Sequence, residues 1–149
     1  MYLREVKKED IQSIYEWAND PVTREQSYSN SEISFEEHRS WFKRKLEDEK
    51  CHFLIFIENN TKIGIIRFDF KNGHWIVSIN IAPNHRGNGY AEGMLRNSYH
   101  YLREYDENPV YAYIKKDNVA SIKVFERAGY KREKELVIKG SESYLYIWR

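Results

Sequence analysis

Two spacings of apolar residues divide this chain into elements. Strict alternation over residues 2 to 7, with Tyr2, Arg4 and Val6 against Leu3 and Glu5, predicts a strand. From about Glu9 to Asn19 the spacing becomes helical, with Ile11, Ile14, Tyr15 and Ala18 on one face, and Asp20-Pro21 is expected to stop that helix. Residues 22 to 33 are polar and turn-rich. Ser34, with Glu37 three residues later, reads as the cap of a second helix reaching about Asp48. Strands follow at about 52–58 and 62–70, and Asn72-Gly73 is a two-residue hairpin turn that fixes the register of the next strand. In that register Ile66 faces Ile79, Phe68 faces Val77 and Phe70 faces Trp75, giving one apolar side. Ile65 with Asn80, Arg67 with Ser78 and Asp69 with Ile76 make a mixed polar row on the other. Unpaired buried polar groups are costly, so this row is either a satisfied internal network or the floor of an acceptor pocket. The remaining order is helix 89–104, strand 110–115, helix 118–128, strand 130–138 and strand 143–148, with Gly140-Ser141 in the last turn.

Composition narrows the class. A length of 149 residues suits one domain, 1–149, with a core that needs no staples. Lys and Arg number 24 against 23 acidic residues, a balance that argues against nucleic-acid binding. The single cysteine, Cys51, cannot form an internal disulfide and suits a reducing cytoplasm; it reads as a small buried hydrophobe rather than a nucleophile. No stretch has the length of a signal peptide's apolar region or a membrane span, so a cytoplasmic location without membrane partners is expected. Aromatics make up 15% of the chain; most belong to the core, and some are expected to line a ligand cleft.

The candidate chemistry lies after the fourth strand. Ile79-Asn80-Ile81 leads through Pro83 to Arg86-Gly87-Asn88-Gly89, and a helix opens at about Tyr90 with Ala91, Met94, Leu95, Ser98 and Leu102 on one face. A glycine turn feeding a helix start points several backbone N–H groups outward together, where the helix dipole favours phosphate. Glycine avoids a Cβ that would hold the phosphate away and permits positive φ, while Arg86 can add a charge-assisted contact. Three readings compete. The loop is a plain strand–turn–helix connection, or a dinucleotide motif spelled by Gly87, Gly89 and Gly93, or part of another phosphate site. The dinucleotide reading is disfavoured because the next strand ends in Lys115-Lys116 rather than an acidic residue, and a Walker loop is excluded because no G-x-x-x-x-G-K is present.

A second segment joins the loop. Asn118-Val119-Ala120-Ser121-Ile122-Lys123-Val124-Phe125-Glu126-Arg127-Ala128-Gly129-Tyr130 follows about 30 residues after Arg86, with Asn118 suited to a helix N-cap and Gly129 to its C-terminal cap. Arg86 to Ala91 fits [Q/R]-x-x-G-x-[G/A], and Asn118 to Tyr130 fits N-x-x-[A/S]-I-x-[L/V]-[Y/F]-E-x-x-G-[F/Y]. Together these segments resemble the GNAT acetyltransferase superfamily, over essentially the whole chain. The resemblance implies an α+β fold, with a mixed sheet of about seven strands splayed in the middle and about four helices.

It also implies acetyl-CoA as cofactor and no metal. By resemblance, the backbone of Ile79, Asn80 and Ile81 would bond the pantetheine. The N–H groups of Gly87, Asn88, Gly89, Tyr90, Ala91 and Glu92 would hold the pyrophosphate with help from Arg86, and Asn118 and Phe125 would complete the site. One departure stands out: many members carry a proton-donating tyrosine where this chain has Phe125. The glutamate that some relatives use as base is also missing from the strand before Pro83, whose polar residues are Ser78 and Asn80. Titrating or polar candidates are His38, Asp69, Ser78 and Asn80; His74 and His85 read as solvated turn residues, and His38 equally as a helix-surface residue.

A narrower resemblance concerns the acceptor. Trp17 to Arg24, Glu37 to Phe42, Ile66 to Asp69 and Ala112 to Lys115 are similar to bacterial N-acetyltransferases acting on amino-sugar nucleotides, those of the pseudaminic-acid pathway in particular. It implies a small-molecule amine acceptor, a nucleotide-linked or free amino sugar, with Arg24, Tyr28, His38, Trp41, Arg67 and Asp69 as substrate residues. A sugar amine is partly neutral near pH 7, which suits the missing base. Acetylation of a protein N-terminus is the alternative reaction, a non-catalytic acyl-CoA-binding module is the alternative of another class, and a monomer and a homodimer are both compatible.

Overall fold

The computed structural model describes residues 1–149. Its strands are β1 Tyr2–Glu5, β2 Cys51–Glu58, β3 Thr61–Lys71, β4 His74–Ile81, β5 Val110–Lys115, β6 Lys131–Ile138 and β7 Ser141–Trp148. Its helices are α1 Ile11–Ala18, α2 Pro21–Gln26, α3 Phe35–Glu47, α4 Tyr90–Arg103 and α5 Val119–Arg127, with short 3-10 turns at Lys8–Asp10 and Pro83–His85. The strands form one seven-stranded sheet in the order β1-β2-β3-β4-β5-β7-β6, antiparallel except where β4 meets β5. No helix is long and apolar enough to cross a membrane.

The Asn72-Gly73 turn sets the β3–β4 register as its sequence predicts: Ile66 faces Ile79, Phe68 faces Val77, Phe70 faces Trp75, Arg67 faces Ser78 and Ile65 faces Asn80. Both turn residues sit at positive φ, 52° and 82°, matching the twist of the hairpin. Two details depart from the sequence reading. In the last hairpin Ile138 pairs with Ser141, so the turn is Lys139-Gly140 and Ser141 already belongs to β7. Pro21 does more than stop a helix. Asp20 accepts a hydrogen bond from the Thr23 N–H at 3.3 Å and Pro21 occupies the first helical turn, where a missing N–H costs nothing, so α2 forms inside the stretch read as turns.

The alternation of β2, β3 and β4 feeds two cores. On one face Leu54, Phe56, Ile66 and Phe68 pack with Met94, Leu95 and Leu102 of α4 and Phe125 of α5. On the other Ile55 and Ile65 pack with Ile14 and Trp17 of α1 and Phe42 of α3. Each such fully buried side chain stabilises the fold by about 1.5–3 kcal/mol. Gly64, on β3 opposite Ile81, lets these strands approach closely: a Cβ there would lie 2.5 Å from the Asn80 carbonyl oxygen.

The parallel pairing of β4 with β5 ends almost as soon as it begins. Only Trp75 with Val110 and Ile76 with Tyr111 are partners. Beyond them the strands diverge, and the β5 side of Val77 to Ile81 has no strand against it.

Candidate active site

The divergence opens a cleft of about 1080 Å³. One wall is β4 from Val77 to Ile81, the other is β5 from Ala112 to Lys115, and the N-terminal ends of α4 and α5 close it. At its mouth lies the glycine turn. Gly87 and Gly89 take φ of 79° and 76°, and Gly89 caps α4. A Cβ on either would meet no heavy atom within 4 Å, so the space above both glycines is open. Positive φ and free space together are what an approaching phosphate needs from a backbone. Asn118 lines the cleft while its Oδ1 accepts from the Ser121 N–H at 3.2 Å, so capping α5 and facing the cleft coexist. Phe125 also lines the cleft and meets Tyr130 edge-on with ring centroids 4.9 Å apart.

A second cavity of about 860 Å³ lies on the opposite face of the sheet, under α1, α2 and α3. Thr23, Ser27, Ser78, Ile79 and Asn80 line both cavities, so the two meet at the polar residues of β4. Within this second cavity Arg67 is fixed. Its Nε donates to Asp69 at 2.8 Å, its Nη2 donates to Ser78 at 3.3 Å, and its guanidinium lies 4.9 Å from the Trp41 ring. Asp69 also receives Lys45 at 2.7 Å. Burial pushes the Asp69 carboxyl up, but Arg67 and Lys45 outweigh it and hold the group below the ordinary carboxylate range.

Residues 1–131 match the family described as acetyltransferase (GNAT) domain. The chain belongs to this family. An uncharacterized protein of Methanocaldococcus jannaschii is 25% identical over 142 residues, which are 89% of this chain but 28% of that protein, so the chain spans little more than a quarter of it. The acetyltransferase PseH of Campylobacter jejuni is 24% identical over 126 residues, 83% of this chain and 78% of that one. Among solved structures, a spermidine N-acetyltransferase of Vibrio cholerae in complex with CoA and spermine has the same fold, with a TM-score of 0.89 at 18% identity over 99% of this chain and 94% of that one. The GNAT domain is an N-acetyltransferase whose cofactor is acetyl-CoA. The splayed strands and the open space above Gly87 and Gly89 fit such a cofactor.

Most of the residues singled out in the sequence gather at these two cavities. Ile79, Asn80, Ile81, Arg86, Gly87, Gly89, Tyr90, Ala91, Glu92, Asn118 and Phe125 all line the cleft. Asn88 does not; it is exposed and donates to the His85 carbonyl at 3.3 Å. Arg24, His38, Trp41 and Arg67 line the second cavity, with Ser78 and Asn80 at the junction. Arg24 spends its guanidinium on the chain itself, donating to the carbonyls of Ala18, Ser29 and Ser31 and to the Ser27 hydroxyl. Tyr28 lines the cleft between β4 and β5 instead and donates to Ser143 at 2.7 Å. Asp69 stands behind Arg67 rather than on the cavity wall.

His38 is not on the helix surface. It is 2% exposed among Tyr15, Trp41 and Phe42, its Nε2 has no partner, and burial lowers its pKa. The helical face of α3 carries Phe42 into the core, and His38, one turn earlier, follows it.

Residues the sequence reading passed over belong to α2. Thr23 donates to Asn80 at 3.2 Å and accepts from Arg86 at 2.9 Å, and Asp20 pairs with Arg86 at 2.7 Å. The Asp20-Pro21 pair was their signal, since a cap followed by proline starts a helix as readily as it ends one.

Proposed function

We propose that this GNAT domain acetylates the primary amine of an amino sugar, free or nucleotide-linked. The observation that carries the reading is the acceptor-side cavity: about 860 Å³, room for a sugar with its nucleotide, walled by Trp41 and opening on the cofactor cleft at Ser78 to Asn80. The likeness to PseH over most of both chains supports it. In this reading the backbone of Ile79 to Ile81 binds pantetheine, and the N–H groups from Gly87 to Glu92 hold the pyrophosphate beside Arg86. Asn118 and Phe125 flank the cofactor, and the polar row of β3 and β4 floors the acceptor pocket. When bound, acetyl-CoA would supply an acetyl thioester: the amine nitrogen would bond to its carbonyl carbon, the C–S bond would break with its electron pair on sulfur, and the proton lost by the nitrogen would pass to that thiolate or to water. The chain's own part is to align the amine and to orient the carbonyl on β4.

The test is CoA release with UDP-linked amino sugars, glucosamine, N-terminal peptides and spermidine as acceptors. An amino sugar should give the highest kcat/KM. A peptide or spermidine preferred by tenfold or more would replace the reading. Tight binding of acetyl-CoA with no acceptor turned over would make the domain a binding module.

A further inference from the structure

The attacking amine must be neutral, yet the junction of the two cavities offers no free carboxylate to take its proton. β4 contributes Ser78 and Asn80 there. Asp69, the nearest acidic residue on β3, has one oxygen on Lys45 and the other on Arg67 and is held ionised by both. Glu36 and Glu37 line the same cavity from the first turn of α3, are exposed, and are not among the residues that line both cavities. What does reach the junction is a guanidinium: Arg67, one-fifth exposed, bonded to Ser78 and fastened by Asp69 and Trp41. Around it Lys45 balances Asp69, α3 adds the cation Arg44 at the rim and the neutral, buried His38, and α2 adds Arg24. The local excess at the reacting end is positive.

We infer that Arg67 keeps the bound acceptor amine neutral by electrostatic repulsion, in place of a proton-accepting carboxylate. A fixed cation a few ångströms from an amine disfavours the ammonium form, and the pocket is open enough for the released proton to leave to water. Because Arg67 is pinned on both sides, it cannot swing away to relieve the repulsion. The acceptor class follows from the same physics. An amine whose pKa lies close to neutrality, as in an amino sugar, binds at small cost, whereas a polyamine or lysine amine must give up a firmly held proton. This inference rests on acetyl transfer to an amine and deepens the amino-sugar reading.

Two measurements test it, using UDP-glucosamine or whichever amine of the panel above gives the highest kcat/KM. The first is the pH profile. The acid limb of kcat reports the bound amine, and that of kcat/KM the free one. Arg67→Gln should move the kcat limb up by about one pH unit, leave the kcat/KM limb in place and cost about three- to fivefold in kcat near pH 7, approaching about tenfold well below the limb, while Arg67→Lys stays near the wild-type limb. The second is calorimetry of acceptor binding without acetyl-CoA, in buffers of different ionisation heat. The wild type should release protons on binding near neutral pH, and Arg67→Gln should release fewer. A kcat that falls equally at every pH, with proton release unchanged, would make Arg67 merely structural and overturn the inference while leaving the amino-sugar reading intact. A panel led by spermidine would overturn both.

Discussion

Gly64 permits a close approach of β3 to β4 beside the cleft, and Gly64→Ala tests whether that approach sets the cleft wall. A Cβ at Gly64 would stand 2.5 Å from the Asn80 carbonyl oxygen and 3.1 Å from both the Ile81 Cα and the Met94 methyl, where ordinary contact begins near 3.4 Å. Two of those three neighbours are backbone, so relief requires β4 to move by about 0.9 Å at Asn80. Overpacking of this kind costs about 1–3 kcal/mol. For a chain of this size that is a fall in Tm of about 2–10 °C. The displaced backbone is the stretch of β4 without a β5 partner, so acetyl-CoA should bind more weakly and kcat/KM should fall by up to about 10²-fold, as a 1 Å misplacement can cause. Differential scanning calorimetry, titration with acetyl-CoA and steady-state kinetics give the three readouts. Gly93→Ala is the control: its Cβ meets only the flexible Met1 methyl at 3.3 Å in the first turn of α4, so it should be neutral or stabilise by up to about 1 kcal/mol. An unchanged Tm in Gly64→Ala would refute the close approach. A lowered Tm with wild-type affinity for acetyl-CoA would refute its link to the cleft.

Gly89→Val places a β-branched residue at φ 76°, where a side chain costs at least about 1–2 kcal/mol, and should raise the KM for acetyl-CoA about tenfold or more while leaving that of the acceptor within about twofold; equal affinity by titration would remove the turn from the cofactor site. His38 is neutral in the fold, because burial lowers its pKa below that of the unfolded chain. The unfolded state therefore takes up a proton first as pH falls, so stability should be full above about pH 6.5 and decline below it, and His38→Phe should flatten that decline in urea melts between about pH 7.5 and pH 5; an unaltered slope would show that His38 does not contribute to it.

The sheet and its register were legible because they rest on local rules. Asn72-Gly73 admits one hairpin, and that hairpin determines which of Ile65, Ile66 and Arg67 faces which core. The glycine turn and the Asn118 segment were legible for the same reason: positive φ, capping and helical spacing all leave marks on neighbouring residues. What escaped depends on contacts between residues far apart in sequence. Nothing around His38 announces that α1 will cover it, since Tyr15 lies on another element. Nothing around Arg67 shows that Trp41 will lie beneath its guanidinium, or that Lys45 will share Asp69 with it. The helix α2 was hidden because Asp20-Pro21 serves as both an ending and a beginning, and only the hydrogen bond from the Thr23 N–H tells them apart.

That short helix and the loop after it tie the two diverging halves of the sheet together. Toward β4 and its loop, Thr23 holds Asn80 and Asp20 holds Arg86. Toward the other half, Lys115 of β5 donates to the Glu25 carbonyl at 3.1 Å and Tyr28 reaches Ser143 of β7 at 2.7 Å. The span between the strands is therefore set by the protein's own bonds. Ties of this kind are made during folding, so the ordering cost of holding the two walls together is not subtracted from a later binding event. The same four bonds limit how far the gap between the strands can widen.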